Sequence, residues 1–129
     1  MKNCKEGMKE YELEAYFDFV CKSNGVKDFA FKTIAAAGKN ATILHYVDNN
    51  CDIKDGDLIL FDLGAEYNCY NADISRTFPV NGKFTERQKE VYNAVLRRNR
   101  ISFTIGQIIL FLMLQFEAVR SVARFGEAP

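Results

Sequence analysis

The acidic residues Asp62 and Asp73 stand in two largely apolar runs that a short polar stretch separates. A two-residue turn at Tyr67 and Asn68 would make these runs a hairpin and set Asp62 directly opposite Asp73. Opposed side chains in an antiparallel pair point to the same face, with Cβ atoms about 4.5–5.5 Å apart. Two carboxylates at that distance repel each other unless protons or cations lie between them. The spacing therefore predicts a cation site on a β-hairpin.

Carboxylates placed in this way can hold a pair of divalent ions, which activate a water molecule and stabilise the oxyanion formed during hydrolysis. Oxygen ligands favour manganese or magnesium, whereas an added imidazole also admits cobalt, zinc or iron. An aspartate at a strand end is more often a solvated turn residue. Asp62 instead interrupts an apolar strand, where an isolated charge is costly, and this setting favours a functional role.

The chain before Asp62 predicts a helix, a strand and a loop. Apolar residues recur at helical spacing over residues 8–25 and end at Gly25, which indicates an amphipathic helix with a glycine stop. Residues 29–37 are apolar and partly β-branched, as in a buried strand. Residues 39–50 are polar and rich in turn formers, so we expect a loop that carries His45.

The second half of the chain predicts the two hairpin strands and a further helix. Residues 57–65 and 70–80 are the extended runs on either side of the turn. Thr85 is an N-cap candidate, and Gln88 three residues later completes a capping box. Residues 101–116 are nearly all apolar; as a helix they would span roughly 24 Å, against about 30 Å for a bilayer core. A buried core helix is the commoner case, so we do not expect a membrane partner, although insertion is the alternative.

Composition and charge narrow the function classes. Hydrophobic residues make up 48% of the 129 residues, which predicts a folded core. Seventeen basic residues balance seventeen acidic ones, so no global field attracts nucleic acid. The four cysteines form no CxxC pair, and we expect them to be reduced thiols. A charged N-terminus with no apolar segment after it argues against secretion, and we expect a cytoplasmic protein.

Four sequence motifs resemble one known family. Residues 62–67, DLGAEY, and 70–84, YNADISRTFPVNGKF, resemble the metal-binding hairpin of the aminopeptidase P group of pita-bread metallopeptidases. Residues 10–15, EYELEA, resemble the start of their catalytic domain, and residues 40–46, NATILHY, resemble their substrate-site loop. The resemblance covers about residues 7–96, with the motifs in the family's order and spacing.

The resemblance implies an α/β (α+β) fold, with a mostly antiparallel sheet, in which residues 1–100 are the N-terminal half of a pita-bread catalytic domain. Residues 101–129 form an apolar tail that does not match the family. The implied activity is release of the N-terminal residue from peptides whose second residue is proline. The implied cofactors are two divalent ions, usually manganese, with cobalt or zinc as alternatives.

The resemblance also implies a role for each matching residue. Asp62 matches the carboxylate that chelates one metal ion, and Asp73 matches the carboxylate that bridges both. His45 matches a histidine that hydrogen-bonds the substrate and the transition state. Arg76 and Thr77 match residues that support the bridging aspartate from outside the metal's own ligand shell.

The chain departs from the family in its remaining metal ligands. The family's site needs a further histidine and two glutamates downstream, but His45 is the only histidine, and Glu117 and Glu127 lie in no suitable motif. We therefore expect a truncated copy that is weakly active or inactive. A non-catalytic peptide-binding module on the same scaffold is the alternative. An uncovered sheet face would favour self-association into a homo-oligomer.

Overall fold

The computed structural model describes the backbone of residues 1–105 and the side chains of residues 1–99. The chain divides into two compact units, Met1–Thr85 and Glu86–Pro129. The first unit contains, in chain order, α1 (Glu10–Ser23), β1 (Asp28–Phe29), β2 (Ile34–Ala37), a 3₁₀ helix (Gly38–Thr42), β3 (Leu58–Leu63), β4 (Ala65–Tyr67), β5 (Tyr70–Asn71) and β6 (Ile74–Pro79). The described part of the second unit is α2 (Glu86–Ile105).

The amphipathic helix predicted over residues 8–25 is confirmed as α1. Its first turn is closed by Glu12, whose Oε2 accepts a 2.6 Å hydrogen bond from the backbone N–H of Lys9. Its end is followed by Gly25 at φ +86, a conformation that glycine adopts without a steric penalty. Of the apolar residues at helical spacing, Leu13 and Cys21 are buried, whereas Tyr16 and Val20 are exposed, so only part of the apolar stripe faces the core.

The single strand predicted over residues 29–37 is wrong, because the chain forms two short strands there that belong to different sheets. β1 pairs with β4, whereas β2 pairs with β3. The long hairpin is interrupted at Gly64, between β3 and β4, and its two halves also lie in different sheets. The segment between β1 and β2 passes from one sheet to the other beside Gly64. There the backbone N–H of Ala30 donates a 3.0 Å hydrogen bond to the Gly64 carbonyl.

The sheets have the strand orders β2-β3-β6 and β1-β4-β5, and every pairing between these strands is antiparallel. The expected α+β fold with a mostly antiparallel sheet is therefore confirmed.

Side chains alternate between the two faces of the β2-β3-β6 sheet, and each face has its own apolar cluster. Leu13 of α1 packs on one face, in a cluster that includes Ala35, Ala37, Ile59 and Phe78. Tyr46 packs on the other face, against Ile34, Ala36 and Leu60. Because Tyr46 follows His45 directly, the loop predicted to carry His45 lies over the face that α1 leaves uncovered.

The second unit begins with the predicted helix, since α2 starts at Glu86, immediately after Thr85. Arg87 and Glu90 form an ion pair of 3.1 Å on its surface. Of the apolar segment 101–116, residues 101–105 continue α2, and the remainder of the predicted tail lies outside the described residues. Within residues 1–105, no helix combines the length and the apolar character needed to cross a membrane.

Candidate functional site

The hairpin turn lies one residue later than the sequence predicted. Asn68 and Cys69 have φ values of 50 and 65, and Tyr67 pairs with Tyr70 across the turn. A two-residue turn of this kind needs positive φ at both central positions, which asparagine tolerates better than a bulky residue such as tyrosine. The turn predicted at Tyr67 and Asn68 is therefore wrong.

The later turn changes the partner of the first aspartate. Asp62 is opposite Ser75 in the β3–β6 pair, not opposite Asp73. The hydroxyl of Ser75 donates a 2.7 Å hydrogen bond to Oδ1 of Asp62, which orients this half-buried carboxylate. The predicted direct opposition of Asp62 and Asp73 is wrong in register.

The two aspartates nevertheless line one pocket, and His45 lines it as well. The pocket has a volume of about 310 Å³. This volume is at the lower end of the range for small-molecule sites, roughly 300–1,000 Å³. Its lining consists of Phe31, Lys32, Ile34, His45, Val47, Asp62 and Asp73. The tertiary structure thus brings together the three residues selected from the sequence as catalytic and metal-binding candidates.

Gly64 allows the two halves of this site to approach each other. A Cβ at Gly64 would lie 2.1 Å from the carbonyl oxygen of Ala72 and 2.6 Å from Cε1 of Phe31. Only glycine fits this contact between the chain after Asp62 and the chain before Asp73. Gly64 was not among the candidate site residues, although a glycine inside an apolar strand is a known signal of close backbone approach.

His45 reaches the pocket from a strained loop position. Its φ is 54, in the left-handed region that non-glycine residues seldom adopt. Leu44, its neighbour, is 84% exposed, so packing of that side chain does not hold the loop. Contacts elsewhere in the loop must maintain the conformation of His45.

Arg76 and Thr77 occupy opposite faces of β6. Thr77 is opposite Leu60 and shares the face of Asp62, whereas Arg76 is opposite Phe61 on the face toward α1. The Nη1 of Arg76 donates a 2.8 Å hydrogen bond to the carbonyl of Ser75. Support of Asp73 by Arg76 and Thr77 stays a prediction.

The donor chemistry of the pocket fits a divalent ion, but the described residues supply only part of a coordination shell. Carboxylate oxygens such as those of Asp62 and Asp73 are ligands for hard divalent cations. Among residues 1–99, whose side chains are described, no three His, Cys, Asp or Glu side chains cluster closely enough to hold a metal ion.

Comparison with known proteins agrees with this combination of fold and carboxylates. The sequence pattern of Peptidase_M24, metallopeptidase family M24, matches residues 1–103. The chain belongs to metallopeptidase family M24.

Proteins with similar sequences are several times longer than this chain. The Xaa-Pro aminopeptidase of Escherichia coli (strain K12) is 48% identical over 96 residues, which is 74% of this chain and 22% of that protein. The Xaa-Pro dipeptidase of Mus musculus is 50% identical over 105 residues, which is 78% of this chain and 21% of that protein. The chain spans about a fifth of the length of these relatives.

Solved structures of aminopeptidases share the fold of this chain. Aminopeptidase PepP of Pseudomonas aeruginosa matches with a TM-score of 0.77 and 49% identity over 79% of this chain and 23% of that chain. Zinc-substituted aminopeptidase P of Escherichia coli in complex with product matches with a TM-score of 0.79 and 44% identity over 81% of this chain and 24% of that chain. The chain therefore shares the fold of the corresponding part of these aminopeptidases.

Proposed function

We propose that this chain is the N-terminal part of the catalytic domain of a metallopeptidase that cleaves Xaa-Pro peptides. The observation that carries the proposal is the shared pocket of His45, Asp62 and Asp73, which come from three separate segments. The names of the relatives, Xaa-Pro aminopeptidase and Xaa-Pro dipeptidase, support the substrate class.

In this proposal Asp62 and Asp73 are metal ligands. Ser75 holds one oxygen of Asp62, so the carboxylate is oriented before it binds a cation. Divalent ions held by Asp62 and Asp73 would supply a Lewis acid and would lower the pKa of a bound water molecule. We propose manganese as the metal, with cobalt or zinc as alternatives; a zinc-substituted relative supports the last of these.

His45 is proposed to hydrogen-bond the peptide and the oxyanion that forms during hydrolysis. An imidazole carries hydrogen-bonding nitrogens on both sides of its ring, and its place in the pocket wall would let it contact a peptide bound there. Phe31, Ile34 and Val47 line the same pocket and would pack against the apolar parts of a proline-containing peptide.

We further propose that the chain by itself binds metal weakly and has little activity, because Asp62 and Asp73 leave most coordination positions of each ion to water. Residues 1–100 would be the M24 portion and residues 101–129 an unrelated apolar tail that favours self-association. The cysteines are free, which supports a cytoplasmic location. A peptide-binding module without catalysis is the competing function.

Manganese titration of the purified chain tests the proposal. We expect weak binding that Asp73→Asn removes and Asp18→Asn retains, since Asp18 lies in an exposed ion pair with Lys22 on α1. Hydrolysis of an alanyl-proline dipeptide above the background of Asp73→Asn would support the enzyme. Dipeptide affinity without turnover would support the binding module, and absence of both metal and dipeptide binding would contradict the proposal.

A further inference from the structure

The first residue of α1 is a fully buried carboxylate that reaches the loop carrying His45. Glu10 is 0% exposed, although it lies at the start of an amphipathic surface helix. Its Oε1 accepts hydrogen bonds from the Ala37 N–H at 2.7 Å and the Asn40 side-chain amide at 2.9 Å. Its Oε2 accepts from the Tyr46 hydroxyl at 2.6 Å and the Cys51 N–H at 3.0 Å. One side chain therefore joins α1, β2, the 3₁₀ helix and both ends of the segment 46–51.

All four of these partners are donors, so the site is built for an ionised carboxylate. An amide or a protonated acid would turn a donor of its own toward two donors. Burial alone raises the pKa of Glu10, but the hydrogen bonds from Tyr46, Asn40 and the backbone amides of Ala37 and Cys51 outweigh it and hold the pKa below its ordinary value.

Tyr46 connects Glu10 to His45, the residue that lines the pocket. It is 7% exposed and packs on the β2-β3-β6 sheet, against Ile34 and Ala36. Its hydroxyl is also 3.0 Å from the side-chain amide of Asn40. The phenol is thus held at its tip by Glu10 and along its ring by the sheet, and His45 is the residue directly before it.

Asn49 fixes the same loop from its other end. This residue is 1% exposed, and its Oδ1 accepts from the Ala35 N–H at 2.9 Å. Its Nδ2 donates to the Thr33 carbonyl and to Oε2 of Glu14, both at 2.8 Å. The side-chain amide of Asn49 therefore hydrogen-bonds backbone groups on the side of β2 that faces away from β3, as a neighbouring strand would. Its bond to Glu14 connects it to α1.

Backbone strain in the loop explains why it needs such anchors. His45 and Asn49 have φ values of 54 and 45. Non-glycine residues seldom adopt this left-handed conformation, and at His45 it persists only where the surrounding structure enforces it. The buried side chain of Tyr46 lies directly after His45, and the buried side chain of Asn49 holds its own backbone position. Leu44, on the other side of His45, is exposed and does not hold the loop by packing.

We propose that Glu10 is a positioning residue that holds Tyr46 so that the adjacent His45 keeps its strained conformation and faces the pocket of Asp62 and Asp73. The catalytic meaning of this role rests on the proposed peptidase function. The positioning itself can be measured without activity.

The single histidine of the chain makes that measurement direct, because ¹³C-histidine labelling yields one imidazole Cε1–Hε1 cross-peak in an NMR spectrum. Tyr46→Phe removes only the hydroxyl that bonds Glu10, and Glu10→Gln removes the acceptor. Tyr16→Phe is the matched control, since Tyr16 is 51% exposed on α1. We expect the His45 cross-peak to shift and broaden, or split, in both test variants and to coincide with the parent in the control.

Circular dichroism and amide spectra establish that each variant is folded, and Tyr46→Phe decides the outcome if Glu10→Gln does not fold. A folded Tyr46→Phe with an unmoved His45 cross-peak would overturn the positioning role. A shifted cross-peak supports it. Addition of manganese and alanyl-proline to the parent is a separate arm: if neither moves the His45 cross-peak, the proposed peptidase site fails while the positioning result stands.

Discussion

Ser75 donates a 2.7 Å hydrogen bond from its hydroxyl to Oδ1 of Asp62, its direct partner across β3 and β6. The bond restricts the rotation of the carboxylate and leaves Oδ2 of Asp62 outside this contact. A metal ligand oriented in this way loses less conformational entropy when a cation binds.

Removing this orientation should weaken metal binding without abolishing it. Ser75→Ala deletes the donor while both aspartates stay, so we expect manganese affinity to fall by roughly 10-fold, the lower end of the effect of removing such a supporting contact. Asp62→Asn should remove measurable binding. Isothermal titration checks both, with Asp18→Asn as the control; equal affinity in Ser75→Ala and the parent would show that the hydrogen bond does not orient a ligand.

A methyl group at Gly64 should disrupt the hairpin between the aspartates. Gly64→Ala places Cβ 2.1 Å from the Ala72 carbonyl oxygen, so the backbone must move, at a cost of about 3 kcal/mol or more. Gly56→Ala is the comparison, because Gly56 has φ +79 but nothing within 4 Å of a Cβ, so it carries backbone strain of about 1–2 kcal/mol only. Urea denaturation compares the two variants. A smaller loss for Gly64→Ala than for Gly56→Ala would contradict the close approach.

Replacing the buried carboxylate of Glu10 should be costly even with an isosteric side chain. The carboxylate of Glu10 accepts hydrogen bonds from four donors, and the Glu10→Gln side chain would point its own N–H groups at two of them. We expect a loss of about 3 kcal/mol in the free energy of unfolding. Asp18→Asn removes only a surface ion pair, which is worth less than about 1 kcal/mol. Urea unfolding monitored by circular dichroism measures both, and similar losses would refute the buried network.

The lowered pKa of Glu10 predicts a specific acid sensitivity. Because the folded-state pKa lies below the ordinary value of 4.5, the contribution of Glu10 to stability is fully present above that pH. It is lost as the pH falls through the folded-state pKa. Urea midpoints measured between pH 6 and the acid limit should therefore fall more steeply for the parent than for Glu10→Gln. Parallel curves would mean that Glu10 has the same pKa in the folded and unfolded states.

Local sequence patterns were sufficient for the elements that depend on neighbouring residues. The helix α1, the glycine stop at Gly25 and the start of α2 after Thr85 are all confirmed, because periodicity and end signals act within a few residues. The same patterns missed the division of residues 29–37 into two strands, since the reason for it lies at Gly64, in the partner hairpin.

For the site, residue type, setting and motif were enough to select His45, Asp62 and Asp73 as candidates, and these three residues line one pocket. Only the tertiary structure decided their arrangement. The hairpin register depends on the left-handed conformations of Asn68 and Cys69. The proposed positioning of His45 depends on the hydrogen bond between Tyr46 and Glu10 and on the contacts of Asn49. A buried glutamate that binds four donors from distant segments leaves no local pattern, because its partners become neighbours only after the chain has folded.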